Sequence, residues 1–347
     1  MRYMHGIIKI RGGSDMQRFY NDPDLIVDDM VKGYVKAHGD LVRLSNENDR
    51  VVVSRHVEKG KVTVVSGGGS GHEPCFLGYV GKNMLDAVAV GEVFSSPTAL
   101  AFHQAIKEVD QGSGVAVLFG NYAGDNMNVK MAVQMAAMDD IEVKYVTAND
   151  DVASSPKEEK EKRHGIAGSL FMWKLACAKA ALGGTLDEVI ETARSAVNHT
   201  RSICVGLSPC SIPAVGHANF KIEEGTMEYG IGHHGEPGVD VRKLEKADKI
   251  ADDLCSFICS DIDVQENDEV SIIVSGLGST PLMELYVLYN EVEQYFAQKG
   301  VKVYKAFVGN YVTSLEMNGA ALTVLKMKEE YKELLDLPIE TAGLTIR

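Results

Sequence analysis

The chain has 347 residues, of which 45% are apolar and 24% charged, with a formal net charge of −14 at pH 7. That size and balance fit a globular protein with room for two compact domains and real cores. The acidic surplus argues against a broad face for nucleic acid or anionic lipid, and no apolar run approaches the length of a bilayer span.

Residues 1–15 mix Arg, Lys, His and Gly. They lack the apolar core of a secretion signal and read as a tail before a domain that begins at Met16. Asp22-Pro23-Asp24 precedes an apolar pattern from Leu25 to Val35, which predicts a capped helix with proline at an early position. Lys61 to Val65 is a β-rich run that leads into Ser66-Gly67-Gly68-Gly69-Ser70, read as a strand feeding a glycine turn. Val115 to Phe119 predicts a second strand, ending in Gly120-Asn121-Tyr122. Asn126 to Met138 has helical spacing at Met127, Val129, Met131, Ala132 and Met135. Val143 to Val146 is a third strand. Alternating strands and helices predict an α/β fold on a parallel sheet, with active groups gathered at the carboxyl ends of its strands.

Residues 149–164 are strongly polar and predict a solvated loop, with a lid or docking surface as the functional alternative. Helical patterns follow from Ile166 to Leu182 and from Leu186 to Val197. A boundary near His199 to Arg201 opens a second half, whose clearest strands are Ser271–Val274 and Val303–Val308.

Two phrases occur twice, in the same order. Val65-Ser66-Gly67-Gly68-Gly69-Ser70-Gly71-His72-Glu73-Pro74 is followed by Gly120-Asn121-Tyr122-Ala123-Gly124-Asp125. Val274-Ser275-Gly276-Leu277-Gly278-Ser279-Thr280-Pro281 is followed by Gly309-Asn310-Tyr311-Val312-Thr313-Ser314. The first copy carries His72 and Asp125 where the second has Thr280-Pro281 and Ser314. The pattern predicts two related α/β halves, one of which kept its chemistry.

Successive glycines after a strand let backbone N–H groups face one concavity, which suits an anion or polar oxygen. The segment has neither Gly-x-x-x-x-Gly-Lys-Ser/Thr nor Gly-x-Gly-x-x-Gly, which disfavours a Walker loop and a dinucleotide fold. Ser70 is not in Gly-x-Ser-x-Gly, which disfavours a hydrolase elbow. His72 titrates near neutrality and suits proton transfer. Asp125 fits both a cap for a helix starting at Asn126 and a catalytic carboxylate. A third constellation is Gly230-Ile231-Gly232-His233-His234-Gly235-Glu236-Pro237-Gly238. Adjacent side chains point different ways, so one of the two histidines is expected to face a cleft. A rival metal site of His217, His233, His234 and Glu236 matches no common zinc spacing, and no metal is expected. A neutral imidazole is also a nucleophile toward a carbonyl carbon. The six cysteines form no paired Cys-x-x-Cys motif; Cys255 and Cys259 share one predicted helix face, and buried thiols in a reducing cytoplasm are the expectation.

Together Ser66–Pro74, Gly120–Asp125, Gly232–Gly238 and Ser275–Leu282 resemble the K subunit of dihydroxyacetone kinases, and the similarity runs from about Met16 to the C-terminus. The resemblance implies two α/β domains with the substrate site at their interface. Residues 16–200 would form the first domain and 201–335 the second, with 336–347 returning to the first. It implies that His234 captures the ketone of dihydroxyacetone as a hemiaminal. His72 and Asp125 would flank the hydroxyl that is phosphorylated, and Gly69, Ser70 and Gly71 would cradle the substrate. It further implies a cytoplasmic homodimer that binds no cofactor itself. ADP or ATP with Mg would sit on a separate nucleotide-binding L subunit. Where classical members commonly carry a substrate-contacting lysine, this chain has Gly120, which removes a donor and opens space. The loop from Ser154 to Arg163 also departs from the usual pattern. Both changes admit a longer ketose such as erythrulose. A ketose-sensing paralogue that activates transcription without transferring phosphate is the non-enzyme alternative.

Overall fold

The computed structural model describes residues 18–218 and 220–347. The expected tail at residues 1–15, and the domain start at Met16, lie outside the described residues. The first half opens with α1 (Ile26–Ala37), β1 (Val42–Leu44), β2 (Val51–Ser54), β3 (Thr63–Ser70), β4 (Gly81–Lys82) and β5 (Ala87–Val93). It continues through α2 (Ala99–Val109), β6 (Val115–Gly120), α3 (Ala123–Met138), β7 (Val143–Ala148), α4 (Ser169–Ala181) and α5 (Leu186–His199). The second half holds β8 (Thr200–Gly206), β9 (Thr226–Tyr229), β10 (Asp240–Lys243), α6 (Ala247–Asp261), β11 (Glu269–Gly276) and α7 (Leu282–Gln298). β12 (Lys302–Gly309) and β13 (Gly319–Lys326) complete its sheet; α8 (Glu329–Asp336), β14 (Ile339–Thr341) and β15 (Thr345–Ile346) close the chain.

Two six-stranded sheets result. The first has the order β1-β2-β5-β3-β6-β7 and the second β10-β9-β8-β13-β11-β12. β3, β5, β6 and β7 run parallel, as alternating strands and helices require. In the second sheet β11 is parallel to β12 but antiparallel to β13. At the C-terminus β14 pairs with β4 of the first half.

The layers follow from which residues are apolar. α2 and α3 cover one face of the first sheet, through Phe102, Ile106 and Val129 against Val65, Val117 and Phe119. α4 and α5 cover the other. From there one continuous core runs through Trp173 and Leu175 to Ile273, Phe307, Ala321 and Leu325 of the second sheet. α6 and α7 cover that sheet's far side, with Leu254, Ile258, Leu285 and Val292 against Ile272 and Leu322. α4 therefore lies between two sheets. Eleven of its thirteen residues are buried, which explains a sequence apolar all round instead of striped. Among the described residues no helix is long and apolar enough to cross a membrane.

Three local expectations are corrected. Asp22 does not cap α1: Leu25 holds that position without a side-chain bond, and Asp22 instead closes the preceding turn by accepting from Asp24 N at 3.0 Å. The glycine run is not a turn. β3 continues through it to Ser70, because the glycines are needed for close packing along an extended strand. A Cβ on Gly68 would sit 2.1 Å from the Phe76 ring, and one on Gly69 would sit 2.8 Å from Ser95 N. The solvated loop is shorter than expected. Residues 156–162 are exposed, but Arg163 is buried and donates to Ser155 O and to Asp261 Oδ2 of the second half, each bond under 3 Å.

Candidate active site

The site lies where β3 and β6 part. They are paired from Thr63↔Val115 to Val65↔Val117 and no further. Gly67 and Gly68 remain paired with β5 on the other side, so a gap opens between β3 and the end of β6. Gly67, Gly68, Gly69 and Gly120 line the cavity there, with a volume of about 40 Å³. Roughly 10–15 Å³ accommodates one water-sized group, so the space suits a molecule of a few heavy atoms. Its walls also include His72, Phe76, Tyr122, Asp125, Trp173, His233 and His234.

His72 follows the strand end and is 5% exposed. Its Nδ1 lies 2.7 Å from Thr313 O. A carbonyl accepts, so Nδ1 carries the proton. The same segment is stitched along its backbone: Leu315 N donates to Gly71 O at 2.7 Å and Thr313 Oγ1 to Glu73 O at 3.0 Å. Burial and the two neighbouring histidines push the His72 ring well below the usual imidazole range.

His234 arrives on the loop after β9. Its Nε2 lies 3.1 Å from His72 Nε2. Its Nδ1 donates to Glu236 Oε1 at 2.9 Å, and its backbone N–H donates to Glu236 Oε2 at 3.0 Å. Although burial works against the charge, bonds from His234 hold the Glu236 carboxyl down at about 2. Both outer nitrogens thus bear protons. The two facing Nε2 atoms therefore present lone pairs to each other when both rings are neutral. Glu236 entered the sequence reading as a possible metal ligand; its position two residues after His234, on a loop bracketed by glycines, is the signal for its real contact. Among the described residues no group of three or more His, Cys, Asp or Glu is arranged to hold a metal ion, and His217 is exposed, bonding to Ala218 O.

Asp125 does not cap a helix starting at Asn126. α3 begins three residues earlier, with Tyr122 at the cap position, and Asp125 stands in its first turn. Asp125 Oδ1 accepts from Ser96 Oγ at 2.5 Å. Burial pushes its carboxyl up to about 6, against the lowering effects of Ser96 and His234. Tyr122 packs edge-on to His234 at 5.2 Å between ring centroids and stacks on His164 at 4.6 Å. Asn121 donates to Glu161 O and Arg163 O, which ties the polar loop to the same wall.

The structure thus brings His72, Asp125, His234 and Gly69 to one cavity. Ser70 and Gly71 serve otherwise. Ser70 Oγ donates to Gly91 O at 2.8 Å, and Gly71 N donates to the Glu73 carboxylate. Sequence reasoning missed Ser96, Phe76 and Trp173, which come from three separate segments.

Fold and site together define a two-lobed α/β protein with a small histidine-walled cavity between the lobes. Residues 32–343 match the Dak1 domain, and the chain belongs to that family. It is 41% identical over 327 residues to the dihydroxyacetone-binding subunit DhaK of PTS-dependent dihydroxyacetone kinase 2 from Listeria innocua, covering 94% of this chain and 98% of that one. It is 37% identical to the L-erythrulose 1-kinase of Mycolicibacterium smegmatis, covering 94% of this chain but 57% of that one. Among solved structures, the dihydroxyacetone kinase operon co-activator Dha-DhaQ is similar with a TM-score of 0.85 and 32% identity, over 91% of this chain and 97% of that one.

Proposed function

We propose that this chain is the substrate-binding and catalytic subunit of a ketose kinase acting on dihydroxyacetone or a related short ketose. The observation that carries the reading is the His72–His234–Glu236 relay opening on a cavity that also holds Asp125. His234 Nε2 attacks the ketone carbon, forming a C–N bond as the C=O π bond breaks. The new alkoxide takes up one proton from solvent, and the hydroxyl it becomes can donate to the Nε2 lone pair of neutral His72. The substituted His234 ring is then a cation, paired with Glu236. Fixing the ketone in this way sets the orientation of its hydroxyl, and positioning of this kind is worth roughly 7–11 kcal/mol in favourable systems.

Asp125 is the better candidate for the base. Both His72 nitrogens are engaged, whereas the Asp125 carboxyl is ionised above about 6 and lines the cavity. It would take the proton of the hydroxyl that attacks the donor phosphate. The nucleotide, ADP or ATP with Mg, is proposed to be carried by a helical L partner. The face beside Asp125 suits one. α2 and α3 both begin there, and helix N-termini favour phosphate; Leu100, Met127 and Met131 on these helices are exposed. A homodimer in the cytoplasm, with the six thiols reduced, completes the reading.

The likeness to Dha-DhaQ supports a second reading, a ketose-sensing co-activator without transfer. Two measurements separate them. Mass and binding measurements with dihydroxyacetone and erythrulose, with His234→Ala as control, test capture. Turnover assays with candidate L partners test transfer. Capture without turnover by any partner favours the sensor; no capture removes both.

A further inference from the structure

His233 is 3% exposed, yet it lines the cavity beside His234. Its Nε2 lies 3.5 Å from Cys204 Sγ. Burial and nearby carboxylates push the Cys204 thiol well up, so the sulfur keeps its proton. Burial, with His234 next to it, holds the His233 ring down at about 4, so the imidazole is neutral. A neutral imidazole carries one N–H, and the partner on one nitrogen decides where it resides. With the thiol S–H directed to Nε2, the ring proton belongs on Nδ1. Nδ1 has no hydrogen-bond partner among the described residues. Nδ1 is not sealed inside the packing, so it is open to an oxygen of a bound molecule.

Besides the histidines and Asp125, the wall carries the side-chain hydroxyls of Ser169 and Tyr122. Phe76, Trp173, Ile166 and Val312 present carbon, and the indole N–H is already given to Leu118 O. Gly120 and Gly165 pack back to back. A Cβ on Gly165 would lie 2.9 Å from Gly120 Cα, and one on Gly120 would lie 3.2 Å from Gly165 O. The backbones of these two residues therefore pack in direct contact at this part of the wall. A ketose held at its carbonyl carbon presents at least three oxygens. Asp125 serves the reacting hydroxyl and His72 the carbonyl oxygen. The hydroxyl on the other arm is left.

We propose that His233 is a specificity-determining residue, whose Nδ1–H donates to the hydroxyl on the arm that is not phosphorylated. The inference rests on the capture reading above. Hydroxyacetone, which lacks one hydroxyl of dihydroxyacetone, is the probe. Trp173, the single tryptophan in the chain, stands in the cavity wall and reports binding by fluorescence. Wild type is expected to capture dihydroxyacetone at least about tenfold more tightly than hydroxyacetone, since a site built to bond a hydroxyl rejects the analogue lacking it. His233→Leu is expected to bring that ratio close to one by weakening dihydroxyacetone alone. His233→Asn, which retains a donor, keeps most of it. Cys204→Ala, which frees the tautomer, falls between and provides an independent test if the leucine variant does not fold. An unchanged ratio in His233→Leu, equal weakening of both ketones, or a wild type that does not discriminate each overturns the proposal. Failure of wild type to capture either ketone overturns the capture reading itself, and the proposal with it.

Discussion

β3 and β11 carry the same short phrase, and each lies parallel to the strand that ends in the next Gly-Asn-Tyr, β6 or β12. The two copies differ in where the pair separates. β11 and β12 stay paired, across one register shift after Val270, as far as Ser275↔Gly309, whereas β3 and β6 part after Val65↔Val117. The gap is the cavity. Ser275 Oγ accepts from Tyr311 N and Val312 N, both at 3.0 Å, and so pins the loop after its own strand pair. That loop in turn supplies Thr313 O to His72 and Leu315 N to Gly71. Ser66, at the matching place in the first copy, is buried with no partner for its hydroxyl, because the loop it would hold has moved away with β6. One copy was opened to hold chemistry; the closed copy became the brace for its histidine.

The comparison is broken most severely at Asp125. Asp125→Asn keeps the size and the contact with Ser96 but cannot accept a proton. Turnover with an L partner is expected to fall roughly 10²–10⁴-fold, while ketone capture, read by Trp173 fluorescence, persists. Loss of both together would mean that Asp125 holds the cavity's shape. In the second copy the corresponding Ser314 donates to His233 O and lies against Cys210. Ser314→Ala should therefore perturb the histidine loop and capture more than the transfer step.

Next in size is the brace. Ser275→Ala leaves one buried and one half-buried N–H group, of Val312 and Tyr311, without their acceptor, at a cost of about 1–3 kcal/mol by denaturant titration. Because Thr313 O orients the His72 tautomer, capture should weaken as well. A variant that loses stability but captures ketone as wild type does would disconnect the closed copy from the site.

Much of this organisation was legible in the sequence. The repeat located both strand pairs, and the His-His and Asn-Tyr motifs carried the residues that meet in the cavity. The apolar run of α4 was visible as a helix, although its role between two sheets was not, since burial on all sides erases the stripe that gives orientation. Glycines in β3 read as a turn because the rings that require them, Phe76 and Phe102, come from later in the chain. Asp125 was ambiguous for a similar reason. Its partner Ser96 is 29 residues away on the α2 side, and spacing within a motif carries no information about it.

A smaller effect concerns how the open copy tunes its base. The Asp125 carboxyl titrates near 6, and the rate needs the ionised form, so turnover should be full above that pH and decline as pH falls through it. Ser96 bonds the charged form and lowers the value. Ser96→Ala removes that help and should move the acid limb of the kcat profile upward, by less than about one unit. A downward shift, or an unchanged limb, would assign the titration to another group.

The least expected change is at Ser66, and it sharpens the comparison from the other side. Its Oγ is buried without a partner, so Ser66→Ala removes a group whose desolvation nothing offsets. The same substitution that costs stability at Ser275 should be neutral at Ser66 or raise stability by up to about 1 kcal/mol. The two serines occupy equivalent places on equivalent strands, and both are fully buried. Opposite signs for one chemical change would show that the copies differ by the parting of β6 from β3 and not by composition. Equal losses at both positions would mean that Ser66 has a partner in solution, such as an ordered water in the gap, and that the open copy keeps a polar bridge where the closed copy uses its own backbone.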